Sequence, residues 1–110
     1  MKTYKQWSSE ERQKMYQLTK RLLAEQGIPL KPPKCNRCGQ TEGIIEYHNN
    51  DYSHPTKYLE PLCYRCHMAI HCEDRVPEAV KKYFEQVKNG KTFPPVFSRN
   101  FAIVRRDHGF

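Results

Sequence analysis

Four of the five cysteines fall into two Cys-x-x-Cys pairs, Cys35/Cys38 and Cys63/Cys66. Two intervening residues let two thiolates grip one ion from a single turn. Two such pairs complete a tetrahedral set of four thiolates, the closed geometry of structural zinc. Gly39 follows the first pair, where a knuckle turn takes a residue without a Cβ. The gap between the pairs exceeds that of a simple zinc ribbon, so a hairpin is expected between them. A redox role needs a thioredoxin-like setting, which is absent around either pair. Cys72, the odd thiol, reads as a small buried hydrophobe on a helix. Between the pairs lies "IIEYHNNDYSHP", residues 44–55, with His48, His54, Asn49, Asn50 and Asp51. These residues either do chemistry or shape a loop.

The elements that must position them can be read locally. "WSSEERQKMYQLTKRLLAEQG" reads as a helix over 8–27: Ser8 and Glu11 fit a capping box, and Gly27 fits the C′ position. Met15, Leu18, Leu22 and Leu23 form its apolar stripe, read as core packing. Arg12, Lys14, Lys20 and Arg21 lie on its outward face, as solvated charges or as phosphate contacts. Pro29, Pro32 and Pro33 make the next stretch an extended connector. Ile44, Ile45 and Tyr47 suit a short strand, "NNDYSHP" is turn chemistry, and "KYLEPLC" returns as a second extended piece. A helix begins near the second cysteine pair. Pro77 opens another over 77–90, with Glu78 in its first turn and Val80, Tyr83, Phe84 and Val87 on one face. The tail, 91–110, is aromatic and basic. Phe93, Phe97, Phe101, Ile103 and Val104 are expected to fold back on the domain or to bind a partner.

At 110 residues the chain is expected to form a single domain. Its core is modest, so a zinc staple contributes folding energy directly. The net charge is +7, with 19 Lys and Arg against 12 Asp and Glu. Such a balance favours a polyanion, most simply nucleic acid. Candidate nucleic-acid contacts are Arg37 and Arg65 within the cysteine pairs, Lys20 and Arg21 on the first helix, and Arg105 and Arg106 in the tail. No apolar run approaches the ~20 residues that span a membrane. The first residues lack the apolar core of a secretory signal. A cytoplasmic setting is therefore expected, with cysteines as metal ligands rather than disulfides.

The segment "YHNNDYSHP…LCYRCHMAIH" resembles the HNH endonucleases, closest to a small HNH-like group common in phages and mobile elements. The resemblance covers about residues 34–73. It implies an α+β treble-clef zinc domain of the ββα-metal kind, here with added N-terminal and C-terminal helices. It also implies a second divalent ion, such as Mg, Mn or Ni, between the end of the first strand and the helix. His67 follows Cys66 directly, as the family's helix ligand does. His71 lies four residues on, so both imidazoles share a helix face and can reach one ion. His48 admits two alignments. Counted from the strand, it is the general base and the first ligand is missing. Counted back from "DYSHP", it is the first ligand and Asn49 occupies the base position. The phasing of "IIEYH" with "NDYS" favours the second, giving a His48/His67/His71 site. His54 is a weaker substitute base, and the family's orienting Asn is replaced by Tyr58. The implied function is a metal-dependent DNA endonuclease or nickase. The alternative is a catalytically degenerate module that binds DNA, RNA or a host protein.

Overall fold

The computed structural model describes residues 8–49 and 59–110. The element order is α1 (Ser9–Glu25), β1 (Ile45–Asn49), β2 (Leu59–Cys63), α2 (Tyr64–His71), α3 (Pro77–Lys88) and α4 (Phe101–His108). β1 and β2 pair as a two-stranded antiparallel sheet, so the class is α+β. The chain divides into two units, one from the described residues of 1–32 and 47–60, the other from 33–46 and 61–110.

In the first unit, α1 opens with the capping box. The Glu11 amide donates to Ser8 Oγ at 3.1 Å, and the Ser8 amide donates to Glu11 Oε1 at 3.2 Å. The helix closes on a Schellman turn at Gly27, whose φ is +71°. There the Ile28 amide reaches Leu23 O at 2.9 Å and the Gly27 amide reaches Ala24 O at 3.2 Å. Leu23 is the buried residue of α1, while Met15, Leu18 and Leu22 are half-buried. The Tyr47 hydroxyl donates to Pro29 O at 2.9 Å, tying the connector to β1.

Among the described residues, the second unit holds most of the core. Leu62, Tyr64, Cys66, Ala69, Val80, Tyr83, Val96, Val104 and Phe110 bury together, and α2, α3 and α4 pack on one another. α3 starts on Pro77 and ends at Asn89, followed by Gly90 at φ +90°. The segment 101–108, read from sequence only as tail, is a helix. Asn100 Oδ1 caps it by accepting from the Ala102 amide at 3.1 Å, and Gly109 closes it at φ +77°. Val104 of this helix and Phe110 just beyond it enter the core, but Phe97 before it does not: it stays 73% exposed.

Candidate metal centre

Cys35 and Cys38 lie in the turn before β1; Cys63 ends β2 and Cys66 lies in the first turn of α2. The four Sγ atoms all lie within 4.8 Å of one another, and those of Cys38 and Cys63 are 3.5 Å apart. Four sulfurs held about 2.3 Å from one Zn²⁺ would be separated by about 3.8 Å, so the donor set fits that ion. The local sequence builds the turn. Gly39 adopts φ +80°, its amide donates to Cys35 O at 3.1 Å, and the Cys35 amide donates to Gln40 O at 2.8 Å. The Cys38 and Gln40 amides then serve the sulfurs of Cys35 and Cys38. Cys63 is the N-cap of α2, with its sulfur 3.5 Å from the Cys66 amide. Negative sulfur thus meets the positive end of the helix.

The protonation pattern calls for a cation. Hydrogen bonds from Cys38, Cys63 and Cys66 push the Cys35 thiol far down. The bond with Cys35 works to raise Cys38, but those with Cys63 and Cys66 outweigh it and leave the thiol at about 7. The same crowding drives Cys63 and Cys66 upward. Four thiols this close cannot all ionise alone, and a divalent ion is what brings them all to thiolate. Tyr83, on α3, completes the surroundings with its hydroxyl 3.1 Å from Cys66 Sγ. Burial, then the nearby sulfur charge, raises that hydroxyl far above its usual range, so it remains a donor. Sequence reading placed Tyr83 only on an apolar face. A tyrosine seventeen residues past a ligand carries no local signal.

A second donor group lies on α2. His67 and His71, one turn apart, bring their Nε2 atoms to 2.9 Å. His67 Nδ1 lies 2.7 Å from Glu46 Oε1. An ionised carboxylate only accepts, so Nδ1 carries the proton, and in the neutral ring Nε2 keeps its lone pair. Histidines that bind metals are held in this way. Two nitrogens on one tetrahedral ion sit about 3.3 Å apart, so a small ring rotation would open the pair around an ion. Arg99 grips the other side of Glu46, with Nη1 donating to Oε1 at 3.0 Å and Nη2 paired with Oε2. Burial works to raise the Glu46 carboxyl, but its bonds with His67 and Arg99 and the Arg99 charge outweigh it and hold it at about 2. Neither Glu46 nor its pairing with Arg99 was singled out from sequence. The available signal was a carboxylate two places before His48 on a strand, hence on the same face.

No family model, curated protein or solved structure matches the chain.

What the remaining sequence candidates can do follows from where each one lies. His48 is on β1 and buried, at 8% exposure; Asn49 follows it at the strand's end. His54 and Tyr58 lie outside the described residues. Lys20, Arg21, Arg37, Arg105 and Arg106 are exposed. Arg37 lies over the Phe84 ring, and Arg106 pairs with Asp107 at 3.0 Å. Arg65 is not a surface cation. It is 5% exposed, and its guanidinium donates to Pro94 O at 2.9 Å and to Asp107 Oδ2 at 2.9 Å. His108 Nε2 also lies 2.9 Å from Arg65 Nη1. Arginine cannot accept, so this nitrogen must. Burial, then the Arg65 charge, lowers His108 to about 4 and keeps it neutral. Cys72 is buried at the C-cap of α2. Among the described residues, no helix is long and apolar enough to cross a membrane.

Proposed function

We propose that this chain is an HNH-like treble-clef protein acting on nucleic acid, and that it cuts or nicks DNA with a divalent metal held on α2. The observation that supports the reading is the His67/His71 pair with Glu46 behind it: two imidazole nitrogens converge, and a carboxylate fixes the tautomer. His48 is the third donor in this reading. It lies two residues beyond Glu46 on β1, on the same strand face. Zinc on the four cysteines fastens the start of α2 to the turn before β1 and so fixes where the helix presents its histidines. Glu46 orients His67, and Arg99 keeps Glu46 ionised. The exposed Lys20, Arg21, Arg37, Arg105 and Arg106 draw in the polyanion, with salt-sensitive affinity. A divalent ion at the histidines, such as Mg, Mn or Ni, would supply Lewis-acid stabilisation of charge building on the phosphate.

One residue favours a second reading, a module that binds DNA, RNA or a host protein without cutting. Asn49 stands where the resemblance places a histidine base, and an amide cannot take a proton at neutral pH. Loss of a general base typically costs about 10²–10⁴-fold. Plasmid nicking by the purified chain with Mg²⁺, Mn²⁺ or Ni²⁺ separates the two. The nuclease reading expects nicking that His67→Ala abolishes and Asn49→His increases. No nicking at high protein concentration with any of these ions leaves the binding module. A strong drop in Asn49→His would instead make His48 the base.

A further inference from the structure

The four zinc sulfurs are not equally shielded. Cys35 and Cys66 are fully buried and Cys63 is 5% exposed, whereas Cys38 is only partly covered. A cavity of about 280 Å³ in the second unit reaches the cluster from one side. Cys38 and Cys63 line it; Cys35 and Cys66 do not. Its other walls include Thr41, Thr92 and Phe93. Given that a water occupies about 30 Å³, the space admits a small solute such as hydrogen peroxide. The two sulfurs that face it are also in contact, at 3.5 Å. Cys66, by contrast, is tied to the Tyr83 hydroxyl, which draws on its lone pairs.

We propose that Cys38 is a modification site for small hydroperoxides and that Cys63 resolves it, so that the four-sulfur centre is opened from this cavity by oxidation. This rests on the four cysteines holding zinc, and is independent of whether the chain cuts DNA. The chemistry balances in two steps. The Cys38 thiolate attacks one peroxide oxygen; an S–O bond forms, the O–O bond breaks, and hydroxide leaves and takes up a proton. The sulfur is now a sulfenic acid, oxidised by two electrons, and the peroxide has been reduced to water. The Cys63 thiolate then attacks the Cys38 sulfur. An S–S bond forms, the S–O bond breaks, and a second hydroxide leaves as water. Closing the disulfide brings the sulfurs from 3.5 Å to about 2.05 Å. The site loses two of its four donors and with them its ion.

The test uses the full chain with its zinc content first measured. Hydrogen peroxide is added, zinc release is followed with a colorimetric chelator, and the first cross-linked peptide is mapped by mass spectrometry. The expected result is a Cys38–Cys63 disulfide formed in step with zinc release. Because Cys38→Ser could fail to fold, two further variants bear on the proposal. Thr92→Trp, which narrows the cavity, is expected to slow release several-fold, since susceptibility follows access. Cys72→Ala, away from the cavity, is expected to leave the rate unchanged. A first disulfide at Cys35, Cys66 or Cys72 would overturn the proposal. So would equal rates in Thr92→Trp and the parent chain, or protein that purifies without zinc.

Discussion

Burial works to raise the carboxyl of Glu46, yet its bonds with His67 and the Arg99 guanidinium hold it at about 2 and keep it ionised at neutral pH. That charge is what pins the proton of His67 on Nδ1. Glu46→Gln is therefore expected to weaken binding of Ni²⁺ or Mn²⁺ by about 10–100-fold, as loss of such supporting carboxylates does. Arg99→Ala should cost less, because His67 still has its acceptor. Isothermal titration at constant pH measures both, and an unchanged affinity in Glu46→Gln would remove the metal role from His67. The lowered carboxyl also makes Glu46 a source of stability that is present above its ordinary value of 4.5 and lost as pH falls toward 2. His108 acts in a higher window. Its folded value of about 4 lies below the ordinary 6.5, so between these the unfolded chain binds the extra proton. Stability then falls as pH drops from about 6.5 to 4. Urea midpoints at neutral and mildly acid pH should fall further in the parent chain than in His108→Asn, which keeps an acceptor for Arg65 but does not titrate. Equal falls would assign the titration elsewhere.

Two turns separate backbone conformation from crowding. Gly27 and Gly43 have nearly the same φ, +71° and +74°. A Cβ on Gly27 would meet nothing within 4 Å, while one on Gly43 would stand 2.5 Å from Val96 O. That carbonyl is held there by the Ile44 amide at 2.8 Å, and backbone cannot step aside cheaply. Gly27→Ala is expected to cost about 1 kcal/mol, the strain of left-handed backbone. Gly43→Ala should cost clearly more, and comparable denaturant midpoints would show that the Val96 segment yields. The Gly27 turn was legible in sequence; the Gly43 contact was not, because its partner, Val96, lies far along the chain. The same division runs through the site. The two cysteine pairs and the His67/His71 pair follow from local spacing, at i, i+3 and i, i+4. Glu46 behind His67, Arg99 behind Glu46 and Tyr83 on Cys66 join distant segments, which no short window reveals. Asn100 and Gly109 were local caps for α4, but eight residues with two adjacent arginines hide a helical stripe. Arg65 looked like a surface cation because its residue type usually is one. Its burial depends on Pro94 and Asp107, both supplied by the tail.

At the scale of the molecule, the sulfur centre and the core of the second unit are the same object. Cys35, Cys63 and Cys66 belong to the cluster that also holds Leu62, Tyr83, Val104 and Phe110. Without an ion, the four thiols cannot all ionise, though they are packed where the core needs them fixed. If zinc fills the cluster as proposed, its binding is folding energy, on the order of 10 kcal/mol for zinc-dependent domains, added to a modest core. A strong chelator is expected to abolish the near-ultraviolet circular dichroism of the second unit, to which the buried Tyr64 and Tyr83 contribute. The ends of α1 are closed without a sulfur, by Ser8, Glu11 and Gly27. Its 17 residues exceed the ~12–15 below which isolated helices are marginal. Part of the far-ultraviolet helical signal should therefore outlast chelation, and zinc added back should restore the aromatic signal. Loss of both signals together, at one chelator concentration, would mean that α1 relies on the zinc-built unit for its own stability.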